Sequence, residues 1–198
     1  MLPEKPLSAS DRLRSLLVEA GGLPEGALAP LAVRQTLSWP LYGPGLALGI
    51  LTQVVAPSGG GKTEAVLDLL AAHPGMRAAW VEKRMTAYPP GLVERGVRLD
   101  FLLFVEAGEH FIWALTELVR SQVFKVLVVG SPVTEEIDLR RLQLAAEQAQ
   151  AAILLLSPEP LWAWPIRTHL NVIRDPQGGL QVQALHAAKQ ASGLAAEA

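Results

Sequence analysis

The sequence predicts an α/β domain whose core is a doubly wound, mostly parallel sheet flanked by helices, with an antiparallel hairpin at its C-terminal end. Three observations predict this fold. Apolar strand patterns alternate with helical patterns, the crossovers of about a dozen residues suit parallel strands, and a glycine-rich turn joins the first such strand to a helix.

Near-continuous apolar runs predict five strands that are covered on both faces. They read ILTQVVA (50–56), AAWVE (78–82), DFLLFVEA (100–107), KVLVVG (125–130) and AAILLLS (151–157). Helical patterns between them predict helices over Thr63–His73, from Tyr88 to Gly96, over Gly108–Gln122, and after a Thr134 cap through LRRLQLAAEQAQ.

After Pro165 the sequence pattern changes from alternating strands and helices to that of a hairpin. THLNVIRD, the turn DPQGG and LQVQAL predict an antiparallel hairpin at the sheet edge, and Gly178 and Gly179 can supply the positive φ that its turn needs.

The residues before the core predict a short arm. Ser10–Ala20 has the pattern of an amphipathic helix, and the frequent Pro and Gly between Leu23 and Pro44 predict no regular structure. We therefore expect a helical arm and linker over residues 1–40, a core over 41–186 and a flexible tail over 187–198.

The composition excludes several function classes. The 198 residues contain no Cys, and the four His show no ligand spacing, so thiol, disulfide and zinc chemistry are not expected. A net charge of −2 argues against autonomous tight DNA binding, although Arg140, Arg141, Arg167 and Arg174 can form a local basic strip. No apolar run is long enough for a membrane helix and the start lacks a secretory pattern, so we expect a cytoplasmic protein.

The stretch VVAPSGGGKTEAVLDLL (54–70) predicts a phosphate-binding loop between a buried strand and a helix. Its candidate nucleotide-binding residues are Ser58, Gly59, Gly60, Gly61, Lys62 and Thr63, and Thr63 would contact Mg²⁺ if a nucleotide binds. Ala56 replaces the first glycine of the motif, and Gly59 and Gly60 can compensate. The alternative is a glycine-rich turn that keeps the shape but binds no nucleotide.

Hydrolysis needs acids that the loop does not supply. The expected aspartate at the end of KVLVVG is Gly130. Glu82 is the best remaining carboxylate at the sheet edge and a weak catalytic candidate, with a surface ion pair to Lys83 or Arg84 as the alternative role.

The segments GPGLALGILTQVVAPSGGGKTE, AAWVEKRMTAYPPGLVERGV and DFLLFVEAGEHFIWALTELVRSQVFKVLVVGSP resemble the ATPase core of RecA recombinases, in the same order. WVEKRMTAYPPGL and DLRRLQLAAEQAQAAILLL are most similar to the ImuA family, the RecA-like and sometimes SulA-like accessory proteins of the bacterial mutasome. This resemblance implies ATP and Mg²⁺ as possible ligands and a role in SOS-induced, error-prone translesion synthesis. The implied partners are an ImuB-like Y-family polymerase homologue, RecA and, indirectly, a DnaE-type polymerase, with weak or indirect DNA contact.

The chain departs from a working RecA where the resemblance implies catalytic groups. Gly130, Arg84 and the segment 157–159 stand where magnesium binding, water activation and phosphate sensing are expected. The leading hypothesis is therefore an adaptor without efficient ATP hydrolysis. An active P-loop ATPase acting on DNA, and a RecA-filament regulator or SulA-like cell-division inhibitor, are the alternatives.

Surface residues are the candidates for partner binding. The loop PEPLWAWPIR (158–167) places tryptophans near the expected carboxyl end of the sheet, as interface anchors or as a small satellite core. The candidates are Leu13, Leu16, Leu17, Arg140, Arg141, Trp162 and Trp164.

Overall fold

The computed structural model describes residues 35–185, which contain a seven-stranded sheet and a separate two-stranded sheet. The strands are β1 Thr36–Trp39, β2 Tyr42–Ala47, β3 Leu51–Val55, β4 Ala78–Glu82, β5 Leu102–Glu106, β6 Val126–Val129, β7 Ala152–Ser157, β8 Ile166–Arg174 and β9 Leu180–Ala184. The helices are α1 Lys62–Ala71, α2 Pro89–Glu94, α3 Phe111–Arg120 and α4 Glu136–Ala149. Short 3₁₀ turns precede β5 and α3, at Leu99–Phe101 and Gly108–His110.

The large sheet has the strand order β5-β4-β6-β7-β3-β8-β9. All neighbouring strands are parallel except β8 and β9, which pair antiparallel. The predicted parallel sheet, its five apolar strands and the C-terminal hairpin are confirmed. The architecture is consistent with a RecA-like α/β core.

The central strands β3, β4, β6 and β7 are buried on both faces of the sheet. Successive residues of each strand point to opposite sides, so each strand contributes to two cores. On β4, Ala78 and Trp80 belong to one apolar core, and Ala79 and Val81 belong to the other. The first core packs against α1 and α2, whereas the second packs against α3 and α4. Burial on both sides explains why these strands are almost uniformly apolar.

The two-stranded sheet corrects one expectation. The chain between Leu23 and Pro44 was expected to lack regular structure, but β1 and β2 form an antiparallel hairpin across the expected boundary between residues 40 and 41. Trp39 is buried, and its Nε1 donates a hydrogen bond to the Ala65 carbonyl of α1 at 3.1 Å. Tertiary packing on α1 therefore orders a segment whose local composition favours a loop.

The start of α4 corrects a second expectation. Thr134 was predicted to cap this helix, but Glu135 occupies the N-cap position and no side chain there makes a capping hydrogen bond. The backbone of Glu135 is still extended, so the chain enters the helix one residue later than predicted. The acidic first turn, with Glu136 and Asp138, is present as expected.

The turn between β8 and β9 forms as predicted, but of its two glycines Gly178 alone has a positive φ, at +91°, and Gly179 does not. No helix within residues 35–185 has the length and apolar character to cross a membrane. The predicted helix at Ser10–Ala20, the candidates Leu13, Leu16 and Leu17, and the predicted tail all lie outside the described residues.

Candidate functional site

The glycine-rich loop connects the central strand β3 to α1. Gly59 and Gly61 adopt φ values of +76° and +89°, which side-chain-bearing residues rarely adopt. A Cβ at Gly61 would also lie 2.7 Å from Leu180 Cδ2 of β9. The sharp entry into α1 therefore requires glycine, for its backbone angles and for the close approach of the C-terminal hairpin.

Ala56 is accommodated where the phosphate-loop pattern expects glycine. It is fully buried, and the described side-chain-bearing residues with positive φ are Gln122 and Gln150 alone, so Ala56 keeps an ordinary backbone. A Cβ at Gly60 would lie 2.9 Å from the Ala56 Cβ and 2.9 Å from the Pro57 carbonyl oxygen. Gly60 thus leaves the space that the Ala56 methyl group fills.

Lys62 is the first residue of α1, and its ammonium group turns back over the loop. Its Nζ donates hydrogen bonds to the carbonyl oxygens of Ala56 at 3.0 Å and Pro57 at 3.4 Å. Thr63 and Ser58 are exposed beside it. A cation and the first N–H groups of a helix therefore lie together at the carboxyl edge of the sheet, which is the arrangement that binds phosphate groups.

Glu82 ends β4, and its carboxylate lies against the end of the neighbouring strand β6. A Cβ at Gly130 would lie 2.8 Å from Glu82 Cγ and Cδ and would overlap Oε1. The side chain is 3% exposed, and it accepts hydrogen bonds from Trp80 Nε1 at 3.0 Å, from Thr86 Oγ1 at 3.1 Å and from the Thr86 backbone N–H. The missing side chain at Gly130 thus creates the space in which a carboxylate from the adjacent strand is held.

The glycine-rich loop and the Glu82 carboxylate line the same open cavity, which has a volume of about 430 Å³. Lys62 and Thr63 line it from one side, Glu82 and Gly130 from another, and Tyr88 and Arg95 of the α2 region from a third. Arg84 occupies the position at which the resemblance to RecA leads one to expect the catalytic glutamate. Its side chain is exposed and does not line this cavity.

Two arginines lie beside the phosphate loop because both form ion pairs with one carboxylate, that of Glu64. The Glu64 carboxylate of α1 pairs with Arg95 Nη1 at 2.6 Å and with Arg174 Nη2 at 2.5 Å. Burial acts to raise the pKa of Glu64, but the hydrogen bonds and charges of Arg174 and Arg95 outweigh it and hold this pKa below its usual value. One turn further along α1, burial raises the pKa of Asp68.

The residues present fit a magnesium-bound nucleotide better than a metal ion alone. No cluster of three or more His, Asp or Glu side chains within residues 35–185 is arranged to hold a metal. Magnesium usually takes one or two protein ligands together with phosphate oxygens and water. Thr63 and Glu82 supply a hydroxyl and a carboxylate to the same cavity, and the glycine loop leaves room for phosphate oxygens.

The tryptophan loop does not lie where it was expected. It leaves the carboxyl end of β7, but it then runs back across the α4 side of the sheet and enters β8 where Ile166 pairs with Leu51, at the opposite edge. Trp162 and Trp164 are 40% and 63% exposed, so they do not form a satellite core. Arg140 and Arg141 are exposed on α4.

Arg95 and Gln53 were not predicted as site residues, and Arg174 was predicted only as part of a basic strip with Arg140, Arg141 and Arg167. Arg95 and Arg174 reach the phosphate loop from a short helix and from the far hairpin. Gln53 is a buried amide that holds the tryptophan loop, with Nε2 donating to the Glu159 carbonyl at 3.2 Å and Oε1 accepting from Leu161 N–H at 2.8 Å. A polar residue inside an apolar strand was the available hint for Gln53.

No protein-family model matches the chain, and no curated protein matches it significantly. The fold and the loop together define the class of the molecule, an α/β protein with a largely parallel seven-stranded sheet and a glycine-rich strand-to-helix loop at the carboxyl edge of that sheet.

Proposed function

We propose that this protein is a RecA-like adaptor that binds a magnesium nucleoside triphosphate as a conformational ligand. The observation that carries the proposal is the convergence of Lys62, Thr63 and Glu82 on one cavity at the carboxyl edge of the sheet. Open α/β sheets bind their ligands at this edge.

Each group has a definite role in such a complex. The N–H groups at the start of α1 and the Lys62 ammonium group would bind phosphate oxygens, which requires Lys62 to exchange its two carbonyl acceptors for the ligand. Thr63 and Glu82 would hold magnesium, which neutralises phosphate charge when it is bound. Tyr88, exposed at the mouth of the cavity, offers a ring on which a base can stack.

The wider role rests on the resemblance to ImuA proteins. We propose that the nucleotide-bound form works in the cytoplasm in SOS-induced, error-prone translesion synthesis, where it joins an ImuB-like Y-family polymerase homologue and RecA. DNA contact would then be weak or indirect, in keeping with a net charge of −2.

An active ATPase is the second candidate, and the position of Glu82 favours it. The sequence lacks an acid at position 130, but the structure holds a buried carboxylate against that position. Three hydrogen-bond donors fix the position of this carboxylate, which lines the cavity. Turnover would require Glu82 to serve both magnesium and the attacking water.

The first experiment measures binding of a fluorescent ATP analogue with magnesium to the full chain and to Lys62→Ala. We expect at least a tenfold loss of affinity in the variant, because a charge-assisted phosphate contact contributes about 1.5–3 kcal/mol. Lys125→Ala is the matched control, since Lys125 is an exposed lysine just before β6, at the opposite edge of the sheet. Equal binding by all three proteins, or no binding by the unmodified chain, would remove the nucleotide from the proposal.

Steady-state phosphate release with single-stranded DNA then separates the two candidates. The adaptor predicts turnover indistinguishable from the Lys62→Ala background. Turnover at an ordinary enzymatic rate that is lost in both Lys62→Ala and Glu82→Gln would establish the ATPase instead. Co-sedimentation with RecA filaments, with and without the ATP analogue, tests the partner.

A further inference from the structure

The outward face of α4 carries apolar and basic side chains in one stripe. Ile137 and Leu144 are 60% and 59% exposed and are seven positions apart in the sequence, so they lie on the same side of the helix about 10 Å apart. Arg140 and Arg141 lie between them and are both exposed. Large exposed aliphatic groups at this spacing are typical of a surface that receives another helix.

Trp164 extends this stripe from the neighbouring loop. The guanidinium carbons of Arg140 and Arg167 lie 5.2 and 5.7 Å from the centre of its ring, so two cations flank one exposed indole. The loop that carries Trp164 is held by hydrogen bonds with the buried side chain of Gln53. It also contacts His169, whose ring nitrogen lies 2.9 Å from the Leu161 carbonyl oxygen. Trp164 is therefore presented on a fixed support, which lowers the entropy cost of binding through it.

The charge of this surface is positive. Within residues 35–185, Arg140 and Arg167 form no ion pair with a carboxylate, and Arg141 reaches only Asp138 at 3.7 Å. At 3.6 residues per turn, Asp138 lies on the flank of α4 and not within the stripe. The stripe therefore complements a partner that carries carboxylates beside apolar side chains.

We propose that this surface, formed by Ile137, Arg140, Arg141, Leu144, Trp164 and Arg167, binds an acidic amphipathic α-helix of a protein partner. The apolar side chains of that helix would recur at heptad spacing and pack on Ile137, Leu144 and Trp164, and its Asp or Glu side chains would pair with the arginines. Tryptophan and arginine are the residues most enriched at the centres of protein interfaces. The aliphatic pair on α4 favours a protein over single-stranded nucleic acid, because aliphatic side chains offer bases no stacking partner.

This interaction does not depend on nucleotide binding, because its residues do not line the cavity beside Lys62. It can therefore be tested separately. The probe is a displayed library of helical peptides with randomised surface positions, selected against the full chain in buffer without nucleotide.

We expect the selected peptides to carry Leu or Ile at heptad spacing with Asp or Glu between them. Binding should weaken at least tenfold for Arg140→Glu and for Trp164→Ala, with circular dichroism confirming that both variants fold. Trp113→Ala and Arg120→Glu on α3 are matched controls, since Trp113 is 67% exposed and Arg120 is an exposed arginine. These controls should bind the peptides as the unmodified chain does.

Three results would overturn the proposal. The selected peptides could lack both heptad spacing and an acidic bias, they could bind Arg140→Glu and Trp164→Ala as tightly as the unmodified chain, or no peptide could be enriched. As a competing arm, a labelled oligo(dT) that binds the unmodified chain and loses tenfold affinity in Arg140→Glu, while the peptides show no preference, would assign the surface to nucleic acid instead.

Discussion

The carboxyl edge of the sheet and the outer face of α4 place their side chains by different means. At the carboxyl edge, the positions of the side chains depend mainly on backbone geometry. Gly59 and Gly61 shape the loop, and the absence of a side chain at Gly130 admits the carboxylate of Glu82. On the α4 face, long side chains meet because buried Gln53 holds a loop in place from the middle of the sheet.

This difference determines how each region tolerates substitution. At the carboxyl edge, a Cβ added at Gly60, Gly61 or Gly130 would lie within 3.0 Å of neighbouring atoms, so adding atoms at these positions disrupts packing. The α4 face is exposed, and changing its outer residues should affect binding far more than folding.

The largest effect is expected for Gly130→Asp, which restores the acid that the resemblance leads one to expect. We expect it to destabilise the fold by about 3 kcal/mol, because the new side chain would overlap the buried carboxylate of Glu82. Urea unfolding of Gly130→Asp, Glu82→Ala and the double variant measures the coupling.

The double variant is the decisive member of that set. Glu82→Ala alone leaves Trp80 Nε1 and the Thr86 N–H without their acceptor, at a cost of about 2 kcal/mol. If the two positions share one space, the double variant is at least 1 kcal/mol more stable than the sum of the single effects predicts. Additive losses would show that Gly130 and Glu82 do not compete for that space.

The fold was largely predictable because its signals are local. The five apolar strands and the hairpin turn at Gly178 each follow from short stretches of sequence. The β1–β2 hairpin was missed because Trp39 gains its stability from a contact with Ala65, 26 residues away. Sequence spacing alone does not reveal such a contact.

The candidate site was predictable in part for the same reason. The loop from Ser58 to Thr63 is a contiguous pattern, and the structure gives it the expected strand-to-helix setting. The relation of Glu82 to Gly130 was not predictable, because 48 positions separate them and only the pairing of β4 with β6 brings them together. The course of the tryptophan loop depended in the same way on Gln53, 106 residues before Glu159.

An intermediate effect is expected for Gln53→Leu, which tests the support of the α4 face. The substitution removes the donor to the Glu159 carbonyl and the acceptor of the Leu161 N–H, so we expect a loss of about 2 kcal/mol. Tryptophan fluorescence should shift as the loop loses these hydrogen bonds. In the Gln53→Leu background, Arg140→Glu should also weaken peptide binding by less than the tenfold expected in the unmodified chain.

The nucleotide affinity supplies the control for this prediction. Gln53 does not line the cavity that holds Lys62, so Gln53→Leu should leave binding of the ATP analogue within twofold of the unmodified chain. A loss of nucleotide affinity equal to that of Lys62→Ala would mean that the two regions are coupled through β3 and are not independent.

The smallest effect is expected at the ion pairs beside the phosphate loop, and it depends on pH. Because the pKa of Glu64 is lower in the folded chain than its usual 4.5, its stabilising contribution is present above that value and is lost as the pH falls through the lower, folded-state pKa. Arg95 and Arg174 are 48% and 38% exposed, so solvent screening limits the contribution to about 1 kcal/mol. Glu64→Gln should thus be less stable than the unmodified chain at pH 7, and the gap should close below pH 4.5 in urea titrations. Glu64→Gln should also release Arg95 and Arg174 from their ion pairs beside the loop. We therefore expect the affinity for the ATP analogue to rise or to stay level at pH 7. A fall to the affinity of Lys62→Ala would mean that Glu64 itself holds the loop in its binding conformation.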